Sequence, residues 1–350
     1  MNIIFSLYIF LACVHCTVTP KTILVTGGAG FIGSHVSEHL LARGDTVIIV
    51  DNLFGENDDA VAIKKQNLEE IAQNGNALII YIADICDKAR METIFSTHAI
   101  DTVCHLAARA GVRDSITDPH SYIMTNIIGT TIIFELSKKY GVKNVVFASS
   151  SSVYGTRQGI TPFEETDRTD NQSSPYGMTK KSGELLAAVY NHLYKLPITC
   201  LRFFTVYGPR ARRDMAPFLF MDAIYNEKTI TVFGDGFAIR DFTYINDIVD
   251  GIIKAIDTPI AFEIINLGSG NPIVLSHFIT ILERIIGKEA IITYEPVISG
   301  DVPLTSASTK RAQELIGYTP QYSIYEGLSS MATWYKETIG KNHTLERSHS

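Results

Sequence analysis

A tyrosine and a lysine stand four residues apart in the stretch Tyr176-Gly-Met-Thr-Lys180. On a helix, side chains at i and i+4 share one face, so the phenol and the ammonium point the same way. An unperturbed tyrosine has a pKa of about 10, and a nearby cation favours its phenolate form. The spacing therefore predicts a base, Tyr176, whose pKa is lowered by Lys180 so that it can remove a proton from a hydroxyl group.

Four consecutive serines, Ser149 to Ser152, follow a strand-like run in FASSSSVYG, residues 147–155. A polar run of this kind is usually a flexible loop. A hydroxyl-rich strand end is also a place where a substrate is held. Because the serines directly follow an apolar β-branched run, we favour the second interpretation.

A glycine-rich stretch, GGAGFIG, follows the first strand-like run of the chain. Its usable spacing is G-x-x-G-x-x-G on Gly27, Gly30 and Gly33, and an amphipathic helical pattern begins directly after it. Glycines let a pyrophosphate approach the backbone, and the helix start offers free N–H groups and a positive dipole end. In this strand–loop–helix context the stretch predicts a dinucleotide-binding loop.

Two aspartates end later strands. Asp51 ends the second strand-like run, 18 positions after Gly33. A carboxylate there suits a ribose 2′-hydroxyl and repels a 2′-phosphate, so NAD is favoured over NADP. Asp84 follows the third run and is placed to reach the adenine, although a helix cap is an alternative role for it.

Elements that alternate between strand and helix position these residues. Apolar strand-like runs occur at 22–26, 46–50, 77–82, 102–106, 144–148 and 197–203, with helical patterns between them, one of which stops at Gly141. Runs that are apolar on both faces are typical of a covered parallel sheet. The pattern predicts an α/β fold, a Rossmann-like doubly wound parallel sheet, with a smaller, partly interleaved C-terminal substrate domain.

The domain boundaries follow from where this alternation weakens. We expect an apolar N-terminal extension at 1–20, a Rossmann domain at 21–205 with a return segment at about 240–260, a substrate domain at 206–336 and a polar tail at 337–350. The apolar run 3–14 is short for a membrane span. We favour a cytoplasmic protein with a dispensable extension; a membrane anchor or an export signal is the alternative.

Composition limits the classes of partner and site. The net charge is −7 over 350 residues, and no long basic run occurs, so nothing indicates nucleic acid. No His, Cys and carboxylate cluster has metal-ligand spacing. Cys86, Cys104 and Cys200 lie in or beside apolar runs and are expected to be buried thiols, whereas Cys13 and Cys16 have redox spacing without a supporting context.

Together, the stretches TGGAGFIG, DNL, ADI, HLAARAGVRDS, FASSSSVYG, YGMTKKSGE, RFFTVYGPR and RDFTYINDI occur in this order. The chain thereby resembles the extended short-chain dehydrogenases/reductases of the nucleotide-sugar epimerase and dehydratase group, from about residue 21 to residue 336. The resemblance implies an NAD-dependent enzyme that is a homodimer acting on a UDP-sugar. It implies a cofactor site of Gly27, Gly30, Phe31, Ile32, Gly33, Asp51, Asn52, Asp84, Ile85 and Ala107, together with Tyr176 and Lys180.

The resemblance also separates the serines. A Ser or Thr four residues before the tyrosine of V-Y-G partners the catalytic tyrosine in this group, which selects Ser150. Dehydratases of the group have an acidic pair at the next two positions, where this chain has Ser151 and Ser152. The missing carboxylates argue against elimination and for oxidation and re-reduction at C4 of the sugar, which is epimerisation.

Three loop sequences indicate which sugar the substrate carries. The stretches 203–216, 110–113 and 300–303 resemble the UDP-glucuronate 4-epimerase branch more than the UDP-glucose branch, although Arg213 replaces a usual proline and 54–60 differs from a tyrosine-rich stretch. The alternatives are a UDP-glucose or other UDP-hexose 4-epimerase, a UDP-glucuronate decarboxylase and a non-catalytic NAD-sensing protein. The expected substrate residues are Ser151, Ser152, Thr205, Arg212, Phe233, Arg240 and Arg113.

Two further polar residues are less decisive. Asn126 matches a helix asparagine near the active site of the group, and a buried structural amide is the alternative. His105 ends an apolar run, where a satisfied core histidine is the more frequent outcome than a catalyst.

Overall fold

A parallel sheet of seven strands forms the centre of the molecule. The computed structural model describes residues 19–55, 57–73, 77–156, 162–297, 302 and 304–340. The strands are β1 Thr22–Thr26, β2 Thr46–Asp51, β3 Leu78–Ile82, β4 Thr102–His105, β5 Asn144–Ser150, β6 Ile198–Phe203, β7 Thr205–Tyr207, β8 Thr229–Phe233, β9 Ile239–Arg240, β10 Phe242–Tyr244, β11 Phe262–Leu267, β12 Ile273–Val274 and β13 Ile291–Glu295. The order in the large sheet is β11-β6-β5-β4-β1-β2-β3.

Helices cover both faces of this sheet. They are α1 Phe31–Ala42, α2 Asp58–Ala72, α3 Lys88–Thr97, α4 Val112–Thr117, α5 Pro119–Ile123, α6 Thr130–Lys139, α7 Pro175–Tyr194, α8 Ala216–Tyr225, α9 Ile245–Asp257, α10 Leu275–Ile286, α11 Lys310–Ile316 and α12 Ile324–Tyr335. Side chains of β1 alternate between two apolar clusters: Ile23 and Val25 join one, and Leu24 joins the other. This burial on both faces confirms the doubly wound arrangement that the apolar runs predicted.

The sheet continues beyond the expected return segment of about 240–260. Helix α9 packs against α1, and the strand after it, β11, pairs in parallel with β6. The seventh strand was missed because Glu263 interrupts its apolar run. That carboxylate forms an ion pair with Arg311 at the open edge of the sheet, where a charged side chain is tolerated.

The remaining strands build a smaller lobe. Strand β8 pairs in parallel with β13, and α8, α10 and α12 pack beside them. We call this group the small lobe, and the seven-stranded sheet with its helices the sheet lobe. Two short pairs of strands, β7 with β10 and β9 with β12, lie where the chain passes from one of these groups to the other.

The segment before α6 departs from a regular helix. Residues Met124–Gly129 form a π-helical turn between α5 and α6. Beyond α6, Gly141 adopts a φ of +69°, which ends the helix as predicted. Among the described residues, no helix is both long enough and apolar enough to cross a membrane. Residues 1–18, with Cys13 and Cys16, and the tail 341–350 lie outside the described residues.

Candidate active site

The glycine-rich stretch forms a tight turn between β1 and α1. Gly27 has a φ of +72°, and its N–H donates to the carbonyl of Val50 at 2.7 Å. Gly30 caps the helix, which begins at Phe31 and Ile32. A Cβ on Gly33 would collide with the carbonyl oxygen of Gly27, so glycine is required there. The loop presents the start of α1 at the carboxyl end of β1, as a phosphate site requires.

Asp51 is fixed beside this turn at the end of β2. Its Oδ2 accepts from the N–H of Ala29 at 3.2 Å, and its Oδ1 accepts from the N–H of Leu53 at 2.8 Å. The ammonium of Lys64 also donates to Oδ1 at 2.9 Å. An ionised carboxylate has about four lone-pair sites, so these three bonds leave room for a ribose hydroxyl. The glycine turn and Asp51 therefore fit a dinucleotide.

The other expected cofactor residues line the same edge of the sheet. The amide of Asn52 donates to Asp84 at 2.8 Å, which joins the segments after β2 and β3. The Cδ1 atom of Ile85 lies 2.6 Å from the position that a Cβ on Gly129 would take. The N–H of Ala107 donates to Thr26 at 3.2 Å, next to the glycine turn.

The serine run is an ordered turn at the end of β5. Ser150 ends the strand, and Ser151–Tyr154 form one turn of 3-10 helix. The hydroxyl oxygen of Ser150 accepts from the N–H of Ser152 at 3.2 Å, and its O–H donates to the Ser152 hydroxyl at 3.2 Å. Ser149 points elsewhere and donates to Glu184 at 2.7 Å. The flexible-loop interpretation is therefore wrong for these residues.

Helix α7 carries Tyr176 and Lys180 beside the serine turn. Ser174 caps the helix by accepting from the N–H of Gly177 at 3.1 Å. A Cβ on Gly177 would stand 2.5 Å from the carbonyl oxygen of Ser152, so the missing side chain lets the helix approach the turn. Lys180 is buried, and its ammonium donates to the carbonyl of Ala148 at 2.7 Å.

The electrostatics of this pair differ from the sequence expectation. Burial raises the pKa of Tyr176, while the neighbouring Ser150 hydroxyl and the charge of Arg212 lower it in part. Burial lowers the pKa of Lys180 to about 7. The ammonium lies 6.0 Å from the Tyr176 ring centroid and is turned towards Ala148. Ser150 and Arg212 are thus the groups that favour the phenolate here, and a contribution of Lys180 stays a prediction.

The expected substrate residues come from both lobes. Thr205 opens β7 and donates its N–H to the carbonyl of Asp241 at 3.1 Å. The guanidinium of Arg113 lies 4.9 Å from the ring centroid of Phe233, which ends β8. This contact links the segment after β4 to the small lobe.

Two arginines complete the substrate set. Arg212 donates to Asp214 at 3.0 Å, and its Nη2 lies 3.4 Å from where a Cβ on Gly111 would stand. Arg240 lies in β9 and donates to the carbonyl of Ile239 at 3.0 Å. The neighbouring Asp241 accepts from backbone N–H groups, including that of Ala307 at 2.9 Å. The stretch 300–303 lies outside the described residues except for Val302.

His105 and Asn126 have structural surroundings. His105 is buried, contacts Thr26 at 2.7 Å and Thr130 at 3.0 Å, and has a pKa of about 3 because of burial and the Lys180 charge. It is a satisfied core histidine, as expected. The Asn126 amide donates to the carbonyl of Arg109 at 2.9 Å and to Thr179 at 3.0 Å, which holds the segment after β4 against α7.

Sequence reasoning missed a buried ion pair behind the serine turn. Arg202 on β6 donates to both oxygens of Glu184 on α7, at 2.7 and 2.8 Å, and both side chains are 1% exposed. Glu184 also accepts from Ser149. Burial opposes the charge on Glu184, but Arg202 and Ser149 keep its pKa below the usual range. The charged residues within otherwise apolar stretches were the available signal.

The two places where the loops differ from the family pattern, Arg213 and the stretch 54–60, contact each other. Arg213 forms an ion pair with Asp59 of α2 at 2.9 Å. Nearby, Arg210 reaches Glu38 on α1 and Glu70 on α2 at 2.8 and 2.6 Å. These pairs hold the loop that carries Arg212 against the sheet lobe.

The comparisons with known proteins identify the family of the chain. The model of the NAD dependent epimerase/dehydratase family matches residues 23–268. The chain belongs to this family. Among the described residues, no group of three or more His, Cys, Asp and Glu side chains is arranged to hold a metal ion.

Two curated relatives carry the name UDP-glucuronate 4-epimerase, one of them as a probable member. The UDP-glucuronate 4-epimerase of Thermodesulfobacterium geofontis is 47% identical over 317 residues, which cover 90% of this chain and 96% of that protein. A probable UDP-glucuronate 4-epimerase of Rhizobium meliloti is 38% identical over 340 residues, covering 92% and 98% of the two chains.

Two solved structures resemble the chain about equally well, although they hold different UDP-sugars. The UDP-glucuronic acid 4-epimerase of Bacillus cereus, in complex with UDP-glucuronic acid and NAD, has a TM-score of 0.84 at 34% identity, covering 90% of this chain and 99% of that one. The UDP-glucose 4-epimerase of Thermotoga maritima, with UDP-glucose, has a TM-score of 0.83 at 34% identity and covers 91% and 99%.

Proposed function

We propose that the protein is an NAD-dependent 4-epimerase that converts UDP-glucuronate to UDP-galacturonate through a transient 4-keto sugar. The observation that carries the proposal is the placement of Tyr176 and Lys180 on α7 against the turn that holds Ser150, at the sheet edge that also holds the glycine turn. The 47% identity to a UDP-glucuronate 4-epimerase supports glucuronate as the sugar.

The chain's own residues handle the proton. Tyr176 takes the proton of the C4 hydroxyl, and Ser150 relays it, while Arg212 favours the phenolate that forms. Lys180 would hold the nicotinamide ribose. NAD would supply reversible hydride transfer at C4 of the sugar, which leaves the net redox change at zero. Asp51 binds the adenosine ribose beside Gly27, and the cofactor contacts are completed by Gly30, Phe31, Ile32, Gly33, Asn52, Asp84, Ile85 and Ala107.

The 4-keto intermediate of a uronic acid needs protection. Its carboxylate is β to the ketone, and such acids lose CO2 when the breaking bond aligns with the carbonyl π system. We propose that Ser151, Ser152 and Thr205 hold this carboxylate out of alignment, with the charge of Arg212 nearby. Their hydroxyls supply donors without adding an acid–base group that would favour elimination.

The nucleotide needs cations and apolar surface. We assign the UDP pyrophosphate to Arg240 and the UDP ribose to the segment at Phe233. We expect Arg113 to help close the substrate site, because its guanidinium stacks on Phe233 of the other lobe.

The deciding experiment supplies UDP-glucuronate and UDP-glucose separately and resolves the products by chromatography, with no external oxidant or reductant. UDP-galacturonate from the first substrate is the expected result. Tyr176→Phe should lower kcat by about 10²–10⁴-fold while NAD still co-purifies. A wild-type protein that turns over only with stoichiometric external redox reagent would contradict the mechanism.

The carboxylate hypothesis has a separate readout. The double variant Ser151→Ala/Thr205→Ala should lose epimerase activity and release UDP-pentose with CO2, because the carboxylate is then free to align. The same analysis of wild type should give no UDP-pentose. A variant that keeps full activity and releases no UDP-pentose rejects these residues as the restraint.

A UDP-glucose 4-epimerase is the second candidate. It is supported by the Thermotoga maritima structure, which resembles the chain about as well as the Bacillus cereus one does. UDP-galactose from UDP-glucose, with UDP-glucuronate unchanged, would favour it. UDP-pentose from the wild type would favour a decarboxylase, and bound NAD without turnover of either substrate would favour a sensing protein.

We also propose a homodimer in the cytoplasm. Helix α7 exposes Leu185, Val189 and Leu193 by 57, 49 and 59%. Ile123 and Ile128, on the neighbouring helical segment, are 37 and 42% exposed. An apolar surface built from two packed helices suits a second copy of the chain. Among the described residues, Cys104 and Cys200 are buried as expected, whereas Cys86 is only partly buried. All three are free thiols, which suits a reducing compartment.

A further inference from the structure

An arginine and a phenylalanine with no assigned role meet across the carboxyl edge of the sheet. The guanidinium carbon of Arg109 lies 4.1 Å from the ring centroid of Phe54. It also lies 5.6 Å from the ring centroid of Tyr122, whose ring meets Tyr176 edge-on at 6.2 Å. Arg109 therefore lies between the segment after β2, where the cofactor is expected, and the proposed base Tyr176.

The position of this contact follows from the strand order. Arg109 comes from the segment after β4, and Phe54 from the segment after β2. Strand β1 lies between these two strands, and all three are parallel. A contact between the two segments must cross the end of β1, where the glycine turn 27–33 begins. A dinucleotide on that turn lies outside the carboxyl ends of the strands, which is where the contact crosses.

The charge of Arg109 complements the glycine turn. Residues 27–33 read GGAGFIG and offer a pyrophosphate only backbone N–H groups and the helix dipole. The guanidinium contacts two aromatic rings, and its ion pair with the half-exposed Asp118 spans 4.0 Å. Asn126 holds the Arg109 backbone at both its N–H and its carbonyl, at 2.8 and 2.9 Å. The cation is thus presented on a fixed backbone.

We propose that Arg109 and Phe54 form a latch that crosses the glycine turn and retains NAD between turnovers. The guanidinium supplies the positive charge that the turn lacks, and the Phe54 ring keeps it across the opening. This rests on the proposed dinucleotide binding and not on which sugar reacts. A redox-neutral reaction reuses one NAD while the UDP-sugar exchanges in every turnover, so slow NAD release serves this chemistry.

The test follows NAD release directly. The NAD-loaded protein is mixed with excess etheno-NAD, and the exchange is followed by fluorescence. Phe54→Leu removes the cation–π contact and should speed release by about twofold to fivefold. Arg109→Gln removes charge and stacking and should speed release by roughly tenfold or more. Arg109→Lys, which keeps the charge, should fall between wild type and Arg109→Gln.

Two further measurements separate a latch from simple packing. Release from the wild type should accelerate with added NaCl, and this dependence should be weaker in Arg109→Gln because the screened charge is gone. The double variant Arg109→Gln/Phe54→Leu should release NAD no faster than Arg109→Gln alone, since the ring acts through the guanidinium. Strictly multiplicative effects of the two substitutions would overturn the latch.

The matched control is Arg90→Gln, which removes another guanidinium stacked on an aromatic ring, that of Tyr81 at 5.3 Å. It should leave NAD release unchanged. Release from Arg109→Gln at the wild-type rate would reject the latch even if UDP-glucuronate is epimerised. Conversely, a wild type that epimerises neither sugar, yet holds NAD through Arg109, would reject the proposed function and support the latch.

Discussion

The surroundings of Lys180 give it properties that its spacing from Tyr176 does not suggest. The i, i+4 spacing correctly predicted that Tyr176 and Lys180 share one helix. It did not reveal that the ammonium donates to the carbonyl of Ala148 or that burial lowers its pKa to about 7. Burial and the direction of a hydrogen bond depend on tertiary packing, which spacing along one helix does not contain.

The lowered pKa of Lys180 predicts a pH-dependent stability. The unfolded chain holds the lysine proton up to about pH 10.4, whereas the NAD-free folded protein loses it near pH 7. Between these values the unfolded state binds more protons, so the stability contributed by this group rises with pH. Below pH 7 the full penalty for burying the ammonium applies.

Lys180→Met, which removes the buried charge, should therefore be more stable than wild type at pH 7 and below, by roughly 3–5 kcal/mol. The difference should shrink towards pH 10. Urea unfolding of the NAD-free proteins from pH 6 to pH 10 measures it. Lys310→Met, at a lysine that is 80% exposed, is the control and should show no such trend. A constant difference between wild type and Lys180→Met at all pH values would contradict the prediction.

At the scale of elements, the apolar runs predicted six of the seven sheet strands to within about two residues at each end. The fold class and the serine turn's place at a strand end also followed from the pattern. The seventh strand, β11, was missed because Glu263 breaks its run, and the π-helical turn Met124–Gly129 leaves no mark in apolar periodicity. Contacts between distant segments, such as Arg109 with Phe54, were beyond any local pattern.

The approach of α7 to the serine turn depends on one missing side chain. Gly177→Ala would place a Cβ 2.5 Å from the Ser152 carbonyl oxygen, which is backbone and yields only if the helix or the turn moves. We expect a loss of stability of about 1–3 kcal/mol. We also expect a larger loss in kcat than in KM, because Tyr176 shifts away from Ser150 while the nucleotide contacts remain.

Denaturant unfolding and steady-state kinetics on Gly177→Ala measure these two effects. Ser182→Ala, on the same helix but away from the turn, is the control and should change neither kcat nor KM. Unchanged kcat in Gly177→Ala would show that the contact between the helix and the turn does not position the base.

At the scale of the whole molecule, ion pairs connect the substrate loop to the sheet lobe. Arg210, in the loop after β7, has a φ of +61° and pairs with both Glu38 and Glu70. A positive φ is unfavourable for arginine, so these pairs offset the cost of this backbone conformation. The same loop carries Arg212 towards Tyr176. The loop therefore couples the small lobe, the cofactor helices and the proposed base.

The exposed apolar stripe on α7 predicts the assembly. Leu185, Val189 and Leu193 recur every four residues on one face, and a two-fold interface would pair this face with itself. Wild type should therefore have twice the mass of the 38.7 kDa chain by light scattering. Val189→Glu places a charge near the centre of that interface and should give monomers at micromolar concentration. Leu219→Glu, on α8 and 47% exposed, is the matched control and should remain dimeric. A monomeric wild type would rule out the dimer. A dimeric Val189→Glu variant would place the interface elsewhere.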